Sequence, residues 1–328
     1  MSKGTMNIYG CGGTGINIAR HITSREAEFG SEAYAKRNVY FLDTSMSNLA
    51  GMSPQDPNVY VYEDVDGAGK NRRHVAATVM ENVNPVLLKF RPAEINIVIS
   101  SNSGGSGSVI APSLVSELLD RGENVILFAI NSYEDRKALE NVIACMKSYE
   151  SISKLRKKPV VACLFENNSN NTELTVNKHV SDSVILLSAL FSRNNEGMDT
   201  QDLRNWLNYD KVTNFAPSFS QLVIHIGEVS QVDDRHLITS MILSPNRETQ
   251  IGYDFIVDYK KVGYFDQKNN PNFSNEPVSY LIYDGMIETL FRSQQKRLEE
   301  LNEEARARNS KRSILSDSDK AESNGLMF

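Results

Sequence analysis

Cysteine is scarce in this 328-residue sequence, and its 35 basic residues are outnumbered by 41 acidic ones. Its three cysteines (Cys11, Cys145 and Cys163) have no paired spacing, which excludes a disulfide scaffold and favours a reducing compartment. The five histidines are not spaced as metal ligands with one another or with a cysteine, so we expect no zinc site. A net charge of −6 argues against the basic surface of a dedicated nucleic-acid-binding protein, and we expect no nucleic-acid partner.

Long apolar runs are missing as well. No stretch approaches the roughly 20 apolar residues that cross a bilayer, and the first residues lack the apolar run of a signal peptide. We therefore expect a cytoplasmic protein without membrane contact. The composition that is present is typical of a folded chain, with 40% apolar residues and only ten prolines. At roughly 150 residues per domain, the length predicts about two domains.

Strand and helix patterns alternate through the first half of the chain. The predicted strands are 7–9, 38–42, 59–62, 95–99, 125–130 and 160–165, and the predicted helices are 16–28, 71–89, 109–119 and 136–155. The nearly continuous apolar run at 95–99 is typical of a strand buried on both faces. This alternation predicts an α/β fold with a parallel, doubly wound sheet.

The second half changes in character. A long central helix is predicted at 174–191, followed by a break at 194–197. Three strands of a second, smaller sheet are predicted at 221–229, 253–257 and 278–283, then a helix at 284–308 and a solvated tail at 309–328. We therefore expect a nucleotide-binding sheet, a central helix, a smaller α+β domain and a C-terminal helix with a tail.

A glycine-rich segment at residues 10–15 lies between the first predicted strand and helix. Glycines let the backbone approach phosphate oxygens, and a helix N-terminus supplies free N–H donors and partial positive charge. Gly10, Gly12 and Gly15 match the dinucleotide pattern G-x-G-x-x-G, and Asp43 ends the second strand where such a fold places its ribose carboxylate. This segment alone predicts an NAD-dependent oxidoreductase, or else a glycine turn that binds nothing.

Two more glycine-rich segments precede predicted helices, at residues 103–108 (SGGSGS) and 66–71 (DGAGKN). We name the segment at 10–15 the first glycine loop, the segment at 103–108 the second and the segment at 66–71 the third. Neighbouring strand ends of a parallel sheet can direct all three at one ligand, which suits a polyphosphate better than a dinucleotide. The predicted nucleotide-binding residues in these loops are Gly10, Cys11, Gly12, Gly13, Thr14, Gly67, Ala68, Gly69, Ser103, Gly104, Gly105, Ser106, Gly107 and Ser108.

The second glycine loop resembles the signature loop of the tubulin/FtsZ superfamily, G-G-T-G-[ST]-G in most members. Ser106 stands here in place of the threonine of that motif. The first and third glycine loops resemble two further phosphate loops of that superfamily, in the same order along the chain. The short chain with a long terminal helix and an acidic tail most resembles the phage tubulins of the PhuZ group.

The segment at 197–204 (GMDTQDLR), named the acidic loop, resembles the superfamily's catalytic loop, in which two acidic residues are spaced i and i+3. The resemblance implies that nucleotide binds one subunit and that the acidic loop of the next subunit completes the site. Asp199 and Asp202 would then orient and deprotonate the attacking water, or hold the cation that shields the γ-phosphate. The alternative is structural, with Asp199 as a helix N-cap and Asp202 as a solvated first-turn carboxylate.

Contacts to the sugar and base are assigned from the same resemblance. Glu134 and Arg136 resemble the ribose-contacting segment, and Asn167 follows the sixth strand, where an asparagine meets the guanine or the sugar.

On the central helix, superfamily members offer an aromatic residue and an asparagine to the base. The matching positions here are Asn177 and Ser181, which depart from that pattern. We therefore expect the neighbouring Asp182 to read guanine, by accepting from its N1–H and amino group.

The resemblance implies a protein that binds GTP or GDP with Mg²⁺, hydrolyses GTP and assembles head to tail into filaments. It further implies phage capsid or DNA-compartment proteins as partners, in the cytoplasm of an infected bacterium. The implied divisions of the chain are a GTP-binding domain (1–170), the central helix (171–195), a second domain (196–283) and the C-terminal helix and tail (284–328). A non-polymerising nucleotide-binding adaptor is the third possibility, beside the oxidoreductase.

The tail carries charge of separated sign. Arg306, Arg308, Lys311 and Arg312 form a basic cluster, and an acidic terminus follows. We expect this tail to contact another copy of the chain.

Overall fold

The computed structural model describes residues 3–25, 34–227, 235–245, 247, 257–265 and 276–309. The described strands are β1 Thr5–Cys11, β2 Lys36–Asp43, β3 Val59–Val61, β4 Ile95–Ser101, β5 Val125–Ser132, β6 Val160–Asn167, β7 Asn195–Glu196, β8 Phe219–Ile226, β9 Leu237–Ser244, β10 Tyr259–Phe265 and β11 Val278–Tyr283. The described helices are α1 Gly12–Ser24, α2 Arg72–Lys89, α3 Gly107–Asp120, α4 Arg136–Arg156, α5 Glu173–Leu190, α6 Thr200–Leu207 and α7 Met286–Asn309.

Six parallel strands form the first part of the sheet, in the order β3-β2-β1-β4-β5-β6. The strand order reverses between β1 and β4, because β2 and β3 lie on one side of β1 and the later strands lie on the other. In open α/β sheets, ligands bind at the carboxyl ends of the strands beside such a reversal. The predicted doubly wound α/β fold is confirmed, and it fixes where a ligand site is expected.

Helices cover both faces of these strands because successive strand residues point to opposite sides. In β4, Ile97 faces a core shared with α1 and α5, whereas Val98 faces a second core built with α2, α3 and α4. Ile287, near the start of α7, joins the second core. Burial on both faces explains the nearly continuous apolar runs of the central strands.

The second half of the chain continues the same sheet rather than forming a separate one. β8 pairs in parallel with β6 through residues 219–221 against 160–162, and the order then runs β8-β11-β9-β10-β7. The expectation of a separate smaller sheet is therefore wrong, because β8 uses the free edge of β6. The division of the chain into domains stays a prediction.

Several predicted elements have different bounds. Helix α1 begins at Gly12, so strand β1 leads directly into it, and three strands that sequence analysis did not identify, β7, β9 and β10, are present. Residues 253–256 of the predicted strand 253–257 lie outside the described residues, as does the tail at 310–328, and Val257 is not in a strand. None of the helices in the described ranges is both long and apolar enough to span a bilayer.

Candidate functional site

The first and second glycine loops are in direct contact at the carboxyl ends of β1 and β4. Gly12 has a φ of +71°, and a Cβ added to it would lie 2.7 Å from the backbone nitrogen of Gly107. A Cβ added to Gly107 would in turn lie 2.5 Å from the carbonyl oxygen of Cys11. Glycine is required at both positions because the two backbones approach more closely than a side chain permits.

The second and third glycine loops are in contact as well. A Cβ on Gly105 would overlap the Cβ of Ala68. Behind both loops the buried side chain of Asn141, on α4, donates from its Nδ2 to the carbonyl oxygens of Lys70 (3.0 Å), Ser103 (3.2 Å) and Gly104 (3.0 Å). Asn141 therefore joins the third loop to the second, and sequence analysis did not identify it.

The three loops surround one polar cavity of about 470 Å³, within the range typical of small-molecule sites. Its wall includes most of the loop residues that the sequence predicts: Cys11, Gly12, Gly13, Thr14, Gly67, Ala68, Gly69, Gly104, Gly105, Ser106 and Gly107. The wall also includes residues that the sequence analysis missed: Ser45, Ser47, Asn48, Asp66 and Ser101. Ser45, Ser47 and Asn48 could have been found from the sequence by their position directly after β2, because the glycine loops also follow strand ends.

Two helix N-termini open onto this cavity. α1 and α3, both within the described ranges, have no acidic residue in their first turns, and no side chain caps either N-terminus. Their first N–H groups and the positive ends of their dipoles therefore remain available to an anion. This arrangement suits a phosphate chain.

Three predicted loop residues shape the cavity rather than lining it. Ser108 is buried and donates from its hydroxyl to the carbonyl oxygen of Gly105 at 2.7 Å. The hydroxyls of Ser103 and Ser101 are hydrogen-bonded to each other. Gly10 lies within β1, where an added Cβ would meet the backbone of Gly15 at 2.7 Å.

Asp43 is buried and both of its carboxylate oxygens are engaged by protein. Its Oδ1 accepts from the backbone N–H of Thr44 at 2.6 Å, and its Oδ2 accepts from Nδ2 of Asn48 at 2.7 Å. Burial raises the pKa of Asp43, and these hydrogen bonds act in the opposite direction without cancelling the effect. In this structure Asp43 does not line the cavity but fixes the turn that places Asn48 there.

The residues assigned to sugar and base also lie outside the cavity wall. Glu134 accepts from the hydroxyl of Ser132 at 3.0 Å, and Arg136 pairs with Glu140 at 3.1 Å. Asn167 ends β6, opposite Ser132 in the register. These side chains lie at the carboxyl ends of β5 and β6, the next two strands after β4 in the sheet. They therefore extend the same edge of the sheet as the cavity.

Asp182 forms a charged cluster with two cations. Its Oδ1 pairs with Arg25 at 2.5 Å and its Oδ2 with Lys178 at 2.8 Å. Burial acts to raise the pKa of Asp182, but the two cations outweigh it and the pKa is lowered. Nearby, Oδ1 of Asn177 is buried without a hydrogen-bond partner in the described part of the chain. The reading of guanine by Asp182 stays a prediction.

The acidic loop begins helix α6 with a reciprocal capping arrangement. Asp199 Oδ1 accepts from the backbone N–H of Asp202 at 2.9 Å, and Asp202 Oδ2 accepts from the backbone N–H of Asp199 at 3.1 Å. Asp202 Oδ1 also accepts from the Tyr259 hydroxyl (2.9 Å) and pairs with Lys261 (3.0 Å). The structural alternative from the sequence therefore holds for Asp199, which caps α6, but Asp202 is paired rather than solvated.

The cavity and the segment that leads into the acidic loop lie at opposite ends of β1 and β4. The cavity is at the carboxyl ends of β1 and β4, whereas the chain leaving α5 is held at their amino ends. There Ser192 accepts from the backbone N–H of Gly4 at 3.4 Å, and Arg193 pairs with Glu94 at 2.8 Å. Because β1 has seven residues at about 3.3 Å each, roughly 20 Å separates the two ends.

Comparison with known proteins places the chain among viral proteins. It is 30% identical over 322 residues to a phage tubulin-like protein of Pseudomonas phage PhiPA3, covering 97% of each chain. It superposes on a solved protofilament of TubZ from bacteriophage PhiKZ with a TM-score of 0.82, 26% identity and 99% coverage of each chain. The GDP-bound structure of the phage tubulin PhuZ has the same fold, with a TM-score of 0.85, 21% identity and 99% coverage of each chain.

No protein-family model matches the sequence. The similarity to the PhiPA3 protein extends over almost the whole of both chains. The chain belongs to the family of phage tubulin-like proteins.

Proposed function

We propose that this protein binds GTP in the cavity between the glycine loops, assembles head to tail, and hydrolyses GTP at the junction between subunits. The observation that carries the proposal is that the cavity and the segment leading into the acidic loop lie at opposite ends of β1 and β4. Within one subunit the two cannot act on the same phosphate. In a head-to-tail stack, which is heterologous and does not close, the acidic loop of one copy faces the cavity of the next.

The phosphates occupy the cavity at the N-termini of α1 and α3, where the loop backbones supply N–H donors. The base extends along the same edge of the sheet towards Asn167 and the start of α5, where the buried Oδ1 of Asn177 has no hydrogen-bond partner among the described residues. The sugar lies between them, beside Glu134 and Arg136. The solved phage tubulin with GDP supports a guanine nucleotide as the ligand.

Mg²⁺ is proposed to enter together with the phosphates. Within the described residues no three His, Cys, Asp or Glu side chains are grouped to hold a metal ion by themselves. Mg²⁺ commonly uses one or two carboxylates together with substrate phosphates and water. Asp66 fits this role, because its carboxylate is on the cavity wall beside the hydroxyl of Ser45. When bound, the cation shields the charge on the phosphate oxygens.

Hydrolysis needs a water molecule oriented towards the γ-phosphate, and the acidic loop of the neighbouring subunit supplies the carboxylates for this step. Asp199 is exposed and can approach the neighbour's nucleotide. Asp202 is more enclosed and is paired within its own subunit, so it is held in one orientation. The two carboxylates thus present a fixed negative surface to the incoming phosphate site.

Assembly is supported by the solved filaments of relatives, including the TubZ protofilament. In the infected bacterium we propose that the filament acts in the host cytoplasm on capsids or on the compartment that holds the replicating phage DNA. The oxidoreductase alternative is not supported, because it assigns no role to the second and third glycine loops.

Right-angle light scattering after addition of GTP, with ATP and NADH as controls, tests the proposal. We expect the signal to rise with GTP alone and to fall as phosphate is released. Binding of GTP without scattering would instead identify a non-polymerising adaptor, and a response confined to NADH would identify an oxidoreductase.

A further inference from the structure

Strand β10 is the surface on which the acidic loop rests. Gly197 has a φ of +94°, and a Cβ added to it would lie 2.8 Å from the carbonyl oxygen of Val262. A Cβ added to Gly263 would lie 2.5 Å from the terminal methyl of Met198. Both glycines therefore allow the loop to lie directly against the strand.

Two side chains of β10 reach the same oxygen atom of the loop. Tyr259 and Lys261 are two residues apart, so they point to the same face of the strand as Gly263. Each contacts Oδ1 of Asp202, at 2.9 Å from the tyrosine hydroxyl and 3.0 Å from the lysine Nζ. The other oxygen of Asp202 accepts from the backbone N–H of Asp199. The carboxylate is therefore fixed at both oxygens.

We propose that Tyr259 and Lys261 are positioning residues, which hold the Asp202 carboxylate in one orientation so that the acidic loop is ready before the next subunit's nucleotide arrives. This inference rests on the proposed function, and it adds the strand that sets the geometry of the loop. Misplacing a reacting group by about 1 Å can lower the rate roughly 10²-fold, so loss of the fixed orientation should be measurable as slower hydrolysis.

The charge balance at Asp202 predicts a pH effect. Among the described residues, the titratable side chains that contact its carboxylate are Lys261 and Tyr259, and the backbone N–H of Asp199 donates to its other oxygen. Partial burial acts to raise its pKa, but the hydrogen bonds from these partners and the charge of Lys261 outweigh burial and lower it. The carboxylate therefore stays ionised to lower pH than an ordinary aspartate. Without Lys261 the pKa rises, and ionisation is lost at higher pH.

The test compares Lys261→Met and Tyr259→Phe with Lys260→Met as a matched control, since Lys260 points to the opposite face of β10. GTP hydrolysis is measured from pH 8 down to the lowest pH at which the filaments still pellet, at equal polymer mass, with pelleting to follow assembly. We expect Lys261→Met to assemble normally, to lose roughly 10- to 100-fold in hydrolysis rate, and to move the acidic limb of its pH profile to higher pH. Tyr259→Phe should lower the hydrolysis rate less than Lys261→Met does. Lys261→Arg should keep the wild-type pH profile, and Lys260→Met should match the wild type in both rate and pH profile.

A companion variant, Asp202→Asn, separates this inference from the proposed function. If Asp202→Asn abolishes hydrolysis while the Lys261→Met profile equals that of the wild type, the positioning role is wrong and the proposed function stands. If Asp202→Asn hydrolyses GTP at the wild-type rate within filaments, the catalytic role of the acidic loop fails, and the positioning role fails with it. When both are right, adding Lys261→Met to Asp202→Asn should cause no further loss.

Discussion

Gly105 is the residue at which the second and third glycine loops come closest. A methyl group there would overlap Ala68, which is itself buried, so Gly105→Ala should push the two loops apart. We expect GTP affinity to fall more than the free energy of unfolding, which overpacking of this kind lowers by about 1–3 kcal/mol. Isothermal titration and urea unfolding measure the two quantities.

Gly104→Ala is the control for this change. A Cβ at Gly104 would have its nearest neighbour, Ser101, at 3.9 Å, and φ at Gly104 is not in the left-handed region. The separation between the second and third glycine loops should therefore survive in this variant. Unchanged GTP affinity in folded Gly105→Ala protein would count against the assignment of these loops to the phosphates.

Asn141 provides a second test at single-residue scale. Asn141→Asp replaces a buried NH₂ donor with an acceptor facing three carbonyl oxygens, so the second and third loops lose their link. Such a buried loss costs about 1–3 kcal/mol, and we expect GTP affinity to fall with it. Asn124→Asp is the matched control, because Asn124 donates to the carbonyl of Glu94 at the amino end of the sheet. It should lower stability without lowering GTP affinity; equal GTP affinities for the two variants would refute the link.

Side-chain partners distant in sequence explain what could not be predicted for single residues. The position of Asp43 at a strand end indicated a ligand contact, yet Asn48 and Thr44 bind both of its oxygens. Asp182 was expected to be open to guanine, but Arg25, 157 residues away, pairs with it. The glycine positions were predictable because the need for space is a local property of the backbone.

At the scale of elements, the strands that carry the glycine loops were predictable because their apolar runs and the helices between them repeat regularly. β9 and β10 were not identified. In β9 the apolar residues are interrupted by Thr239 and Ser240, which are buried against neighbouring strands. β10 carries two lysines and a glycine, and the acidic loop that explains Lys261 and Gly263 is some sixty residues earlier in the chain.

The start of α6 offers a prediction that separates capping from catalysis. Asp199→Ala removes the N-cap and should lower the free energy of unfolding by about 0.5–2 kcal/mol, whereas Asp199→Ser keeps an accepting oxygen and should lower it much less. Both variants lose the exposed charge. If that charge acts on the neighbour's nucleotide, both should lose GTP hydrolysis equally, as measured by phosphate release in filaments. Full hydrolysis by Asp199→Ser would assign to Asp199 a capping role alone.

At the scale of the whole molecule, the charged tail bears on assembly. Arg306 and Arg308 are exposed at the end of α7, and the acidic residues beyond 310 lie outside the described residues. We expect truncation after Ile314 to leave GTP binding intact and to raise the critical concentration for assembly. Assembly of the full chain should weaken as salt rises, since charges are screened beyond about 8 Å at physiological ionic strength. Equal critical concentrations and salt responses for the two proteins would make the tail a passive end.

Because the cavity and the acidic loop act together only across a junction, the number of complete hydrolysis sites equals the number of junctions between subunits. A stack assembled as proposed always has one junction fewer than it has subunits, so one terminal cavity faces no acidic loop. A lone subunit is therefore inactive, and turnover per subunit rises with stack length until the unpaired terminus becomes a negligible fraction. Phosphate release should begin only after a lag that shortens with protein concentration, and fragmenting long stacks should slow it in proportion to the number of new ends.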